Sequence, residues 1–255
     1  MNEVLFEIRE RIAILTINRP DQRNALNRDV LHGLRESLRD AAADPAARVI
    51  AITGEGDKAF CAGADLKAPA SSADAGHFGR NDFRSLLVEI ADCPKPTVAL
   101  ARGHVMAGGL GIFLACDLTL ACDDVHFSTP EISVGMFPMM VLALLFRNVG
   151  LKRGTEMLFT GERVTAAEAV SIGLVNRTFP RSDFAAQSSA YLERLASRSP
   201  TILRLGKEAM RDVEGKGLRE SLENLEKELE RLMATEDSRE GIRAFVEKRP
   251  PRWKE

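Results

Sequence analysis

The sequence predicts an α/β fold built as one main domain with a helical appendage. Two units of helix and buried strand carry this prediction. In the first, a helix over residues 28–43 leads into the apolar run RVIAIT; in the second, a helix over about 81–92 leads into a strand with Val98 and Leu100. A third observation is an amphipathic helix that starts near residue 218. A chain of 255 residues is long enough to bury a sizeable core.

Two antiparallel strands joined by a tight turn are the first predicted elements. Apolar residues alternate in FEIRERIAILTIN on both sides of the polar Arg9-Glu10-Arg11 centre. The loop NRPDQRNALN follows, and Asn27 is well placed to cap the helix over residues 28–43. The strand RVIAIT then completes a strand, helix, strand unit.

Two segments rich in glycine and other small residues follow buried strands. The long segment GEGDKAFCAGADLKAPASSADAGHFGR comes after RVIAIT, and AGGLGIFLACD, residues 107–117, starts an apolar helix after the next strand. Long loops inside compact domains are usually functional or mobile. We therefore expect site residues at these two junctions.

The second half of the chain continues the alternation and then changes character. After Asp117 come the short strand LTLA, an Asp123-Asp124 turn and, further on, a helix that is capped by Thr165 and ends near Gly173. Leucines then recur at steps of four and three among charged residues, which is typical of a coiled-coil-like seam that packs on its own domain or on a neighbouring subunit. These leucines are Leu218, Leu222, Leu225, Leu229 and Leu232.

Composition excludes several classes of function. A net charge of −2 gives no reason to expect nucleic acid or an anionic membrane as partner, and the longest apolar run, residues 136–146, is too short to span a bilayer. The four cysteines show neither metal-ligand spacing nor the density of a secreted disulfide scaffold, so we expect buried, reduced thiols. The N-terminus has no signal-peptide pattern. We expect a cytoplasmic protein that acts on a small molecule.

Gly108 and Gly109 stand where a strand gives way to an apolar helix. A helix N-terminus has unpaired N–H groups and a partial positive charge, and glycine lets an anion approach them closely. A dinucleotide pyrophosphate is disfavoured because Leu114 replaces the third glycine of the G-x-G-x-x-G fingerprint, and EISVG lacks the first glycine of a nucleophile elbow. A developing oxyanion is the better candidate, and two turns formed for packing alone are the alternative.

A second loop and one carboxylate complete the candidate site. The segment AFCAGADL could direct a second amide at the same oxygen. Glu131 is the only carboxylate between Val125 and Lys152, and it follows Pro130 in apolar and neutral surroundings. Such surroundings raise the pKa of a carboxyl group and strengthen it as a base for proton transfer. The alternative is an ordinary solvated loop acid or a helix-cap partner.

These motifs together resemble the enoyl-CoA hydratase/isomerase family, the crotonase superfamily. The ordered matches are NRP…ALN, AFCAGADLK, GHVMAGGLG…ACD, FSTPEISVG, LFTGERVTAAEAVSIGLVN and FVEKRPPRW, and they cover nearly the whole chain. The resemblance implies a spiral of ββα units over residues 1–197 and a C-terminal helical region over 198–255 that forms a homotrimer or a dimer of trimers. It also implies an acyl-CoA thioester substrate, whose enolate oxygen is held by the amides of Ala64 and Gly108.

The sequence departs from the two-glutamate hydratases of this family at one position. Counting to the shared Cys116-Asp117 places their first glutamate at Gly111, so that Glu131 alone remains as the predicted catalytic residue. A double-bond shift needs one group that removes a proton and returns it elsewhere, whereas hydration is work for two carboxylates. The pattern therefore resembles a Δ3-Δ2-enoyl-CoA isomerase. Hydration of 2-enoyl-CoA is one alternative, and non-catalytic acyl-CoA binding is another.

The resemblance also implies a set of substrate contacts. The polar end of coenzyme A is expected near the two loops, Met139 and Met140 are candidates for an acyl pocket, and Phe245 and Lys248 are tail residues that approach coenzyme A. No metal ligand is predicted, and coenzyme A enters as part of the substrate rather than as a cofactor. His104 and His126 are interpreted as structural. The predicted loop contacts are Arg23, Ala25, Ala62, Gly63, Asp65, Leu66, Lys67 and Gly109.

Overall fold

The computed structural model describes residues 2–65 and 80–254. It contains two sheets, of which the larger has six strands. In spatial order these strands are β1 (Val4–Arg9), β2 (Ile12–Ile17), β3 (Val49–Gly54), β5 (Thr97–Ala101), β7 (Leu118–Cys122) and β10 (Arg177–Phe179). β1 and β2 form the predicted antiparallel hairpin, and the strands from β2 to β10 are parallel to one another.

The smaller sheet has four short strands. They are, in spatial order, β4 (Ala59–Cys61), β6 (His104–Met106), β8 (His126–Ser128) and β9 (Val164–Thr165). β4, β6 and β8 are parallel, and β9 closes the edge in the antiparallel direction. Because parallel strands end at the same edge of a sheet, the segments that follow β4, β6 and β8 come together there.

Ten α-helices lie within the described residues and connect or cover the two sheets. They are α1 (Arg28–Ala43), α2 (Arg80–Asp92), α3 (Gly108–Ala115), α4 (Met139–Asn148), α5 (Leu151–Thr160), α6 (Ala166–Ser171), α7 (Phe184–Ala196), α8 (Pro200–Asp212), α9 (Leu218–Met233) and α10 (Glu236–Val246). The chain visits the large sheet, then the small sheet, then a helix: β3, β4, α2; then β5, β6, α3; then β7, β8, α4. The prediction of a spiral of ββα units is thus confirmed.

The helix boundaries follow the capping signals in the sequence. Asn27 accepts a hydrogen bond from the N–H of Val30 (2.8 Å) and starts α1 at the predicted residue. Thr165 and Glu168 form a capping box at the start of α6. This helix ends two residues before Gly173, whose positive φ of 80° takes the chain out of the helical conformation.

The core lies between the large sheet and the helices around it. Every residue of β3 is buried, as predicted for a central strand of a parallel sheet. α1 turns its apolar face inward, with Val30, Leu31, Leu34 and Leu38 all buried. Burying a leucine side chain of this kind stabilises the fold by about 1.5 to 3 kcal/mol. All four cysteines are buried and unbridged.

The C-terminal helices differ from the core in how much they bury. α8 is anchored by Lys207, whose ammonium group lies 2.6 Å from the carboxylate of Asp117, the residue before β7. α9 carries the predicted leucine seam, but no residue of α9 is buried within the chain, and Leu218 is 77% exposed. Among the helices in the described ranges, none is long and apolar enough to cross a membrane.

Candidate active site

The candidate site forms where β4, β6 and β8 end. Cys61 of β4 is opposite Val105 of β6, and Met106 is opposite Ser128 of β8. The N–H of Ala107 continues this ladder with a hydrogen bond to the carbonyl of Ser128 (3.0 Å). Residues 62–65, 107–109 and 129–131 therefore leave the small sheet side by side.

Ala64 is held by an isolated parallel bridge to Leu26. The N–H of Leu26 donates to the carbonyl of Gly63 (2.7 Å), and the N–H of Asp65 donates to the carbonyl of Leu26 (2.8 Å). The two hydrogen bonds are made by the residues on either side of Ala64. Ala64 itself therefore turns its N–H away from Leu26. The loop that precedes α1 thus fixes the direction of the Ala64 amide.

Gly108 is the first residue of α3, so its N–H lies in the helix turn that has no intrahelical acceptor. The preceding residue, Ala107, has φ 52° and ψ −131°, a backbone conformation that is strained for a residue with a side chain. This conformation determines the direction of the Gly108 N–H. A Cβ placed on Gly63 would lie 3.1 Å from the nitrogen of Gly108, so the two loops are in direct contact. Among the described residues, no carbonyl accepts a hydrogen bond from the amide of Ala64 or of Gly108.

Glu131 lies in a 3₁₀ turn, Pro130–Val134, directly after β8. The hydroxyl of Thr129 donates to the carbonyl of Met157 (2.8 Å) and ties this turn to α5. One carboxylate oxygen of Glu131, Oε2, is buried and has no hydrogen-bond partner in the described part of the chain. Burial raises the pKa of Glu131, and a hydrogen bond from its own backbone partly offsets that rise.

Gly111, where the sequence resemblance places the first glutamate of the two-glutamate hydratases, has apolar neighbours. A Cβ at this position would lie 3.2 Å from Phe83 Cζ, 3.4 Å from Val141 Cγ2 and 3.6 Å from Leu87 Cδ2. These are the three nearest atoms apart from the adjoining residues and the backbone of α3 itself, and each belongs to a hydrocarbon side chain. Glu131 therefore faces no second carboxylate from position 111.

Five of the predicted substrate contacts form one loop cluster. Arg23 is exposed and has a left-handed φ of 52°, and its carbonyl accepts from the N–H of Ala62 (3.1 Å). Ala25 and Gly63 are buried in the same cluster. The carboxylate of Asp65 is paired with the guanidinium of Arg19 (2.9 Å). Their contacts with coenzyme A stay predictions, and Leu66 and Lys67 lie outside the described residues.

The other predicted contacts are distributed over separate elements. Gly109 is buried in α3, and a Cβ there would come within 2.7 Å of Cys61 Cβ, which explains the glycine by close packing. Met139 is 71% exposed at the start of α4, whereas Met140 packs against the core. Phe245 is 85% exposed on α10. Lys248, just beyond α10, is exposed as well.

His104 and His126 form a pair at the N-terminal ends of β6 and β8, opposite to the ends that form the candidate site. The backbone N–H of His126 donates to Nδ1 of His104 (3.1 Å), and their ring centroids are 5.3 Å apart. Burial lowers the pKa of His104, and His126 and Arg163 add to this effect. Within the ranges that the structure covers, no three His, Cys, Asp or Glu side chains are grouped as a metal site.

Three residues that position the site were not identified from the sequence. Asn24 is fully buried, and its side-chain amide donates to the carbonyls of Glu55 (3.0 Å) and Ala59 (2.7 Å). Arg19 donates to the carbonyl of Ala25 (2.7 Å) as well as to Asp65. Phe83 lies against the first turn of α3. No local sequence pattern marks a buried asparagine or phenylalanine. Such a residue is recognised only from its contacts with residues that are distant in the chain.

Comparison with known proteins agrees with this arrangement. Residues 7–255 match the enoyl-CoA hydratase/isomerase family. A Thermus thermophilus protein provisionally named an enoyl-CoA hydratase is 37% identical over 246 residues, which is 95% of this chain and 97% of that protein. The 2,3-dehydroadipyl-CoA hydratase of Escherichia coli is 35% identical over 257 residues, or 100% of this chain and 99% of the relative.

Solved structures show the same relationship. The crystal structure of an enoyl-CoA hydratase from Bacillus anthracis superposes with a TM-score of 0.93 at 30% identity, and the match covers 99% of each chain. The relatives named here are called hydratases, so the predicted nearness to isomerases finds no support in these names. With the match over residues 7–255, the ββα spiral and full-length relatives above 30% identity, the chain belongs to the enoyl-CoA hydratase/isomerase family of the crotonase superfamily and is an enzyme of that family.

Proposed function

We propose that this chain forms the enolate of an acyl-CoA thioester and uses it to move a double bond from C3 to C2 of a 3-enoyl-CoA. In this proposal the amides of Ala64 and Gly108 stabilise the oxyanion, and Glu131 is the one acid/base. The proposal depends on Oε2 of Glu131, which is buried and has no hydrogen-bond partner among the described residues, and on the hydrocarbon side chains around Gly111. A carboxylate at position 131 and a glycine at position 111 suit a reaction in which a single proton leaves and returns.

The proposed steps need no group beyond these residues. The carboxylate of Glu131 takes a proton from C2, and the electron pair of that C–H bond forms a C1–C2 double bond while the thioester oxygen becomes negative. The two amides hold this oxygen. Glu131 then returns the proton at C4, the C3–C4 double bond becomes a C2–C3 double bond, and the thioester carbonyl re-forms. Loss of one oxyanion donor typically costs about 2.7 to 4 kcal/mol of transition-state stabilisation.

The raised pKa of Glu131 supports its proposed role as base. A carboxylate that loses water on burial binds a proton more tightly, because its charged form is less stable there. Proton transfer is most efficient when the pKa of the catalytic group is close to the working pH. A buried glutamate with a free oxygen is therefore better suited to the task than an exposed one.

Hydration of 2-enoyl-CoA is the second candidate. The names of the relatives favour it, since the Escherichia coli protein that matches over the full chain is a 2,3-dehydroadipyl-CoA hydratase. In this case Glu131 would have to activate the water and also supply the proton at C2. Non-catalytic binding of acyl-CoA, the other alternative from the sequence, is disfavoured by the relatives, which are named as enzymes, and it predicts binding without any proton exchange.

One set of measurements separates the three readings. Purified protein is given 3-enoyl-CoA and 2-enoyl-CoA separately, and a saturated acyl-CoA is incubated in D₂O to detect exchange at C2. The proposal expects exchange and conversion of 3-enoyl-CoA to 2-enoyl-CoA, both lost in Glu131→Gln, while the exposed Glu162→Gln behaves like the wild type. Rapid hydration of 2-enoyl-CoA without isomerisation would favour the hydratase, and tight binding without exchange would favour the silent binder.

We also propose a division of the chain into a spiral core, residues 1–197, and a C-terminal helical region, 198–255, that mediates a homotrimer or a dimer of trimers. The support is α9, a helix whose leucines stay exposed when the chain is taken alone: Leu222 is 57% and Leu229 is 58% exposed. A helix with an exposed apolar stripe is most stable when a partner surface covers it.

A further inference from the structure

Phe83 contacts the turn of α3 that carries the proposed oxyanion donor. Its Cζ lies 3.4 Å from the place of a Cβ on Gly108 and 3.2 Å from the place of a Cβ on Gly111. Residues three apart in a helix share one face, so one aromatic ring covers both positions. Phe83 is only 9% exposed and belongs to the first turn of α2.

The other side chains nearest to these two glycines are also hydrocarbon. Leu26 Cδ1 lies 3.4 Å from the Cβ position of Gly108, on the side of the loop that holds Ala64. Val141 and Leu87 complete the surroundings of Gly111. Leu26 is 1%, Val141 is 2% and Leu87 is 7% exposed.

Such a surface does not retain a reactive water. A buried water normally makes two to four hydrogen bonds to polar groups, whereas the nearest atoms around position 111 are carbon. Addition of water to an enoyl thioester needs a water that is held and partly deprotonated at C3. The ring of Phe83 fills the space in which a side chain at position 111 would have to hold it.

The placement of Phe83 is fixed from outside the site. Asp82, the residue before it, accepts from Nη1 of Arg35 on α1 (2.6 Å), and Glu89 of α2 accepts from Nη2 of the same arginine (2.9 Å). Nη2 of Arg39 also donates to Glu89 (2.6 Å). These ion pairs hold α2 against α1, and the ring is held against α3 as a consequence.

We propose that Phe83 is a specificity-determining residue of this enzyme: its ring keeps water away from C3, so that the 2-enoyl-CoA formed when Glu131 reprotonates the dienolate leaves the site without being hydrated. The inference rests on the proposed function, because it concerns the fate of the 2-enoyl-CoA formed there. Phe83 of α2 would thus determine whether the product is the isomerised or the hydrated acyl-CoA.

The test compares two activities in the full-length protein. The first is deuterium exchange at C2 of butyryl-CoA in D₂O, which reports enolate formation alone. The second is hydration of crotonyl-CoA. For Phe83→Ala we expect exchange to stay within roughly tenfold of the wild type and hydration to rise by at least about tenfold. Combining Phe83→Ala with Gly111→Glu is expected to increase hydration further, since the removed ring leaves room for the new carboxylate.

Two further variants keep the test decisive. Phe83→Leu removes less volume than Phe83→Ala and is expected to change the ratio of hydration to exchange in the same direction. Phe184→Leu is the matched control, because Phe184 is 3% exposed on α7 and packs on Phe179. Hydration that stays at the wild-type level in both Phe83 variants, with exchange retained, would overturn the inference. Absence of exchange in the wild type would instead refute the proposed function, and the inference with it.

Discussion

Gly63 and Ala107 are packed so closely that a methyl group on Gly63 would overlap the Cβ of Ala107. Both residues have a positive φ, 89° for Gly63 and 52° for Ala107. Each belongs to one of the two loops that present the proposed oxyanion donors, and each precedes its donor by one residue. The spacing between the donors is therefore set by the close approach of the main chain at Gly63 to the methyl group of Ala107 and to the nitrogen of Gly108.

Gly63→Ala should reduce activity with little loss of folded protein. The added methyl group has to push Ala107 away and also strain the backbone at position 63, which displaces the amides of Ala64 and Gly108. We expect kcat for isomerisation to fall about 10²- to 10³-fold, as for loss of one oxyanion donor. Gly206→Ala is the control: it adds a methyl group to α8 where nothing lies within 4 Å. Unchanged kcat in Gly63→Ala would mean that this contact does not set the donor geometry.

Local signals in the sequence were sufficient for most of the fold. The capping residues Asn27 and Thr165 start helices where predicted, and the apolar run of β3 is buried on both faces. These features depend on neighbours in the chain and on simple periodicity. The spiral of ββα units was implied by the resemblance alone, and the division into two sheets was not predicted, since strands such as β4 and β6 have only three residues and carry no periodic pattern.

The candidate site was predicted less completely than the fold. Glu131 stood out because it is isolated among apolar residues, and its buried Oε2 agrees with that interpretation. Asn24 and Phe83 could not be identified, because their roles depend on Ala59 and Gly111, which are distant in sequence. Pairing of Asp65 with Arg19 likewise needs the fold to bring the two loops together.

Glu131 is expected to make the protein less stable as the pH rises. Burial raises its pKa in the folded state above the ordinary value of 4.5, so the folded protein binds a proton that the unfolded chain releases. Stability is then highest below pH 4.5 as far as this group is concerned, and it falls as the pH rises through the folded-state pKa. Glu131→Gln lacks this loss and should be more stable than the wild type at neutral pH.

Urea unfolding of the wild type and of Glu131→Gln at several pH values checks this expectation. The difference in unfolding free energy between the two proteins should grow from pH 4.5 upward and level off above the folded-state pKa. Glu162→Gln, which replaces an exposed carboxyl group just beyond α5, is the control variant measured alongside. A difference that is independent of pH would show that ionised Glu131 is no less stable in the folded protein than in the unfolded chain.

Leu222→Glu should weaken the proposed assembly through α9. Leu222 and Leu229 lie two helical turns apart on the same side of a helix that buries nothing within the chain. A charge placed in a subunit contact leaves a carboxylate without solvent or partner, whereas Leu222→Ala only removes part of the apolar area. We expect sedimentation to show the largest particles for the wild type, smaller ones for Leu222→Ala and the smallest for Leu222→Glu. The same particle size for all three proteins would exclude this stripe as a subunit contact.

Lys207→Ala tests how the C-terminal region is attached to the spiral core. The buried ammonium group of Lys207 donates to Asp117 (2.6 Å) and to the carbonyl of Lys95 (3.2 Å), and the same Asp117 oxygen accepts from Thr97 (2.7 and 2.9 Å). Removing the lysine leaves a partly buried carboxylate that keeps only its threonine bonds. We expect a loss of about 2 to 4 kcal/mol of unfolding free energy, below the cost for a fully buried pair because the Asp117 side chain is 30% exposed.

The control for this change is Lys216→Ala. Lys216 forms an exposed pair with Asp212 (2.9 Å), and exposed pairs contribute at most about 1 kcal/mol. If α8 to α10 unfold before the core once Lys207 is lost, urea denaturation should show two transitions in Lys207→Ala and one in Lys216→Ala. The contrary result is a single transition of unchanged steepness in both variants, with only the midpoint shifted. Residues 198–255 would then unfold together with the core, and residue 197 would not be a boundary between independent units.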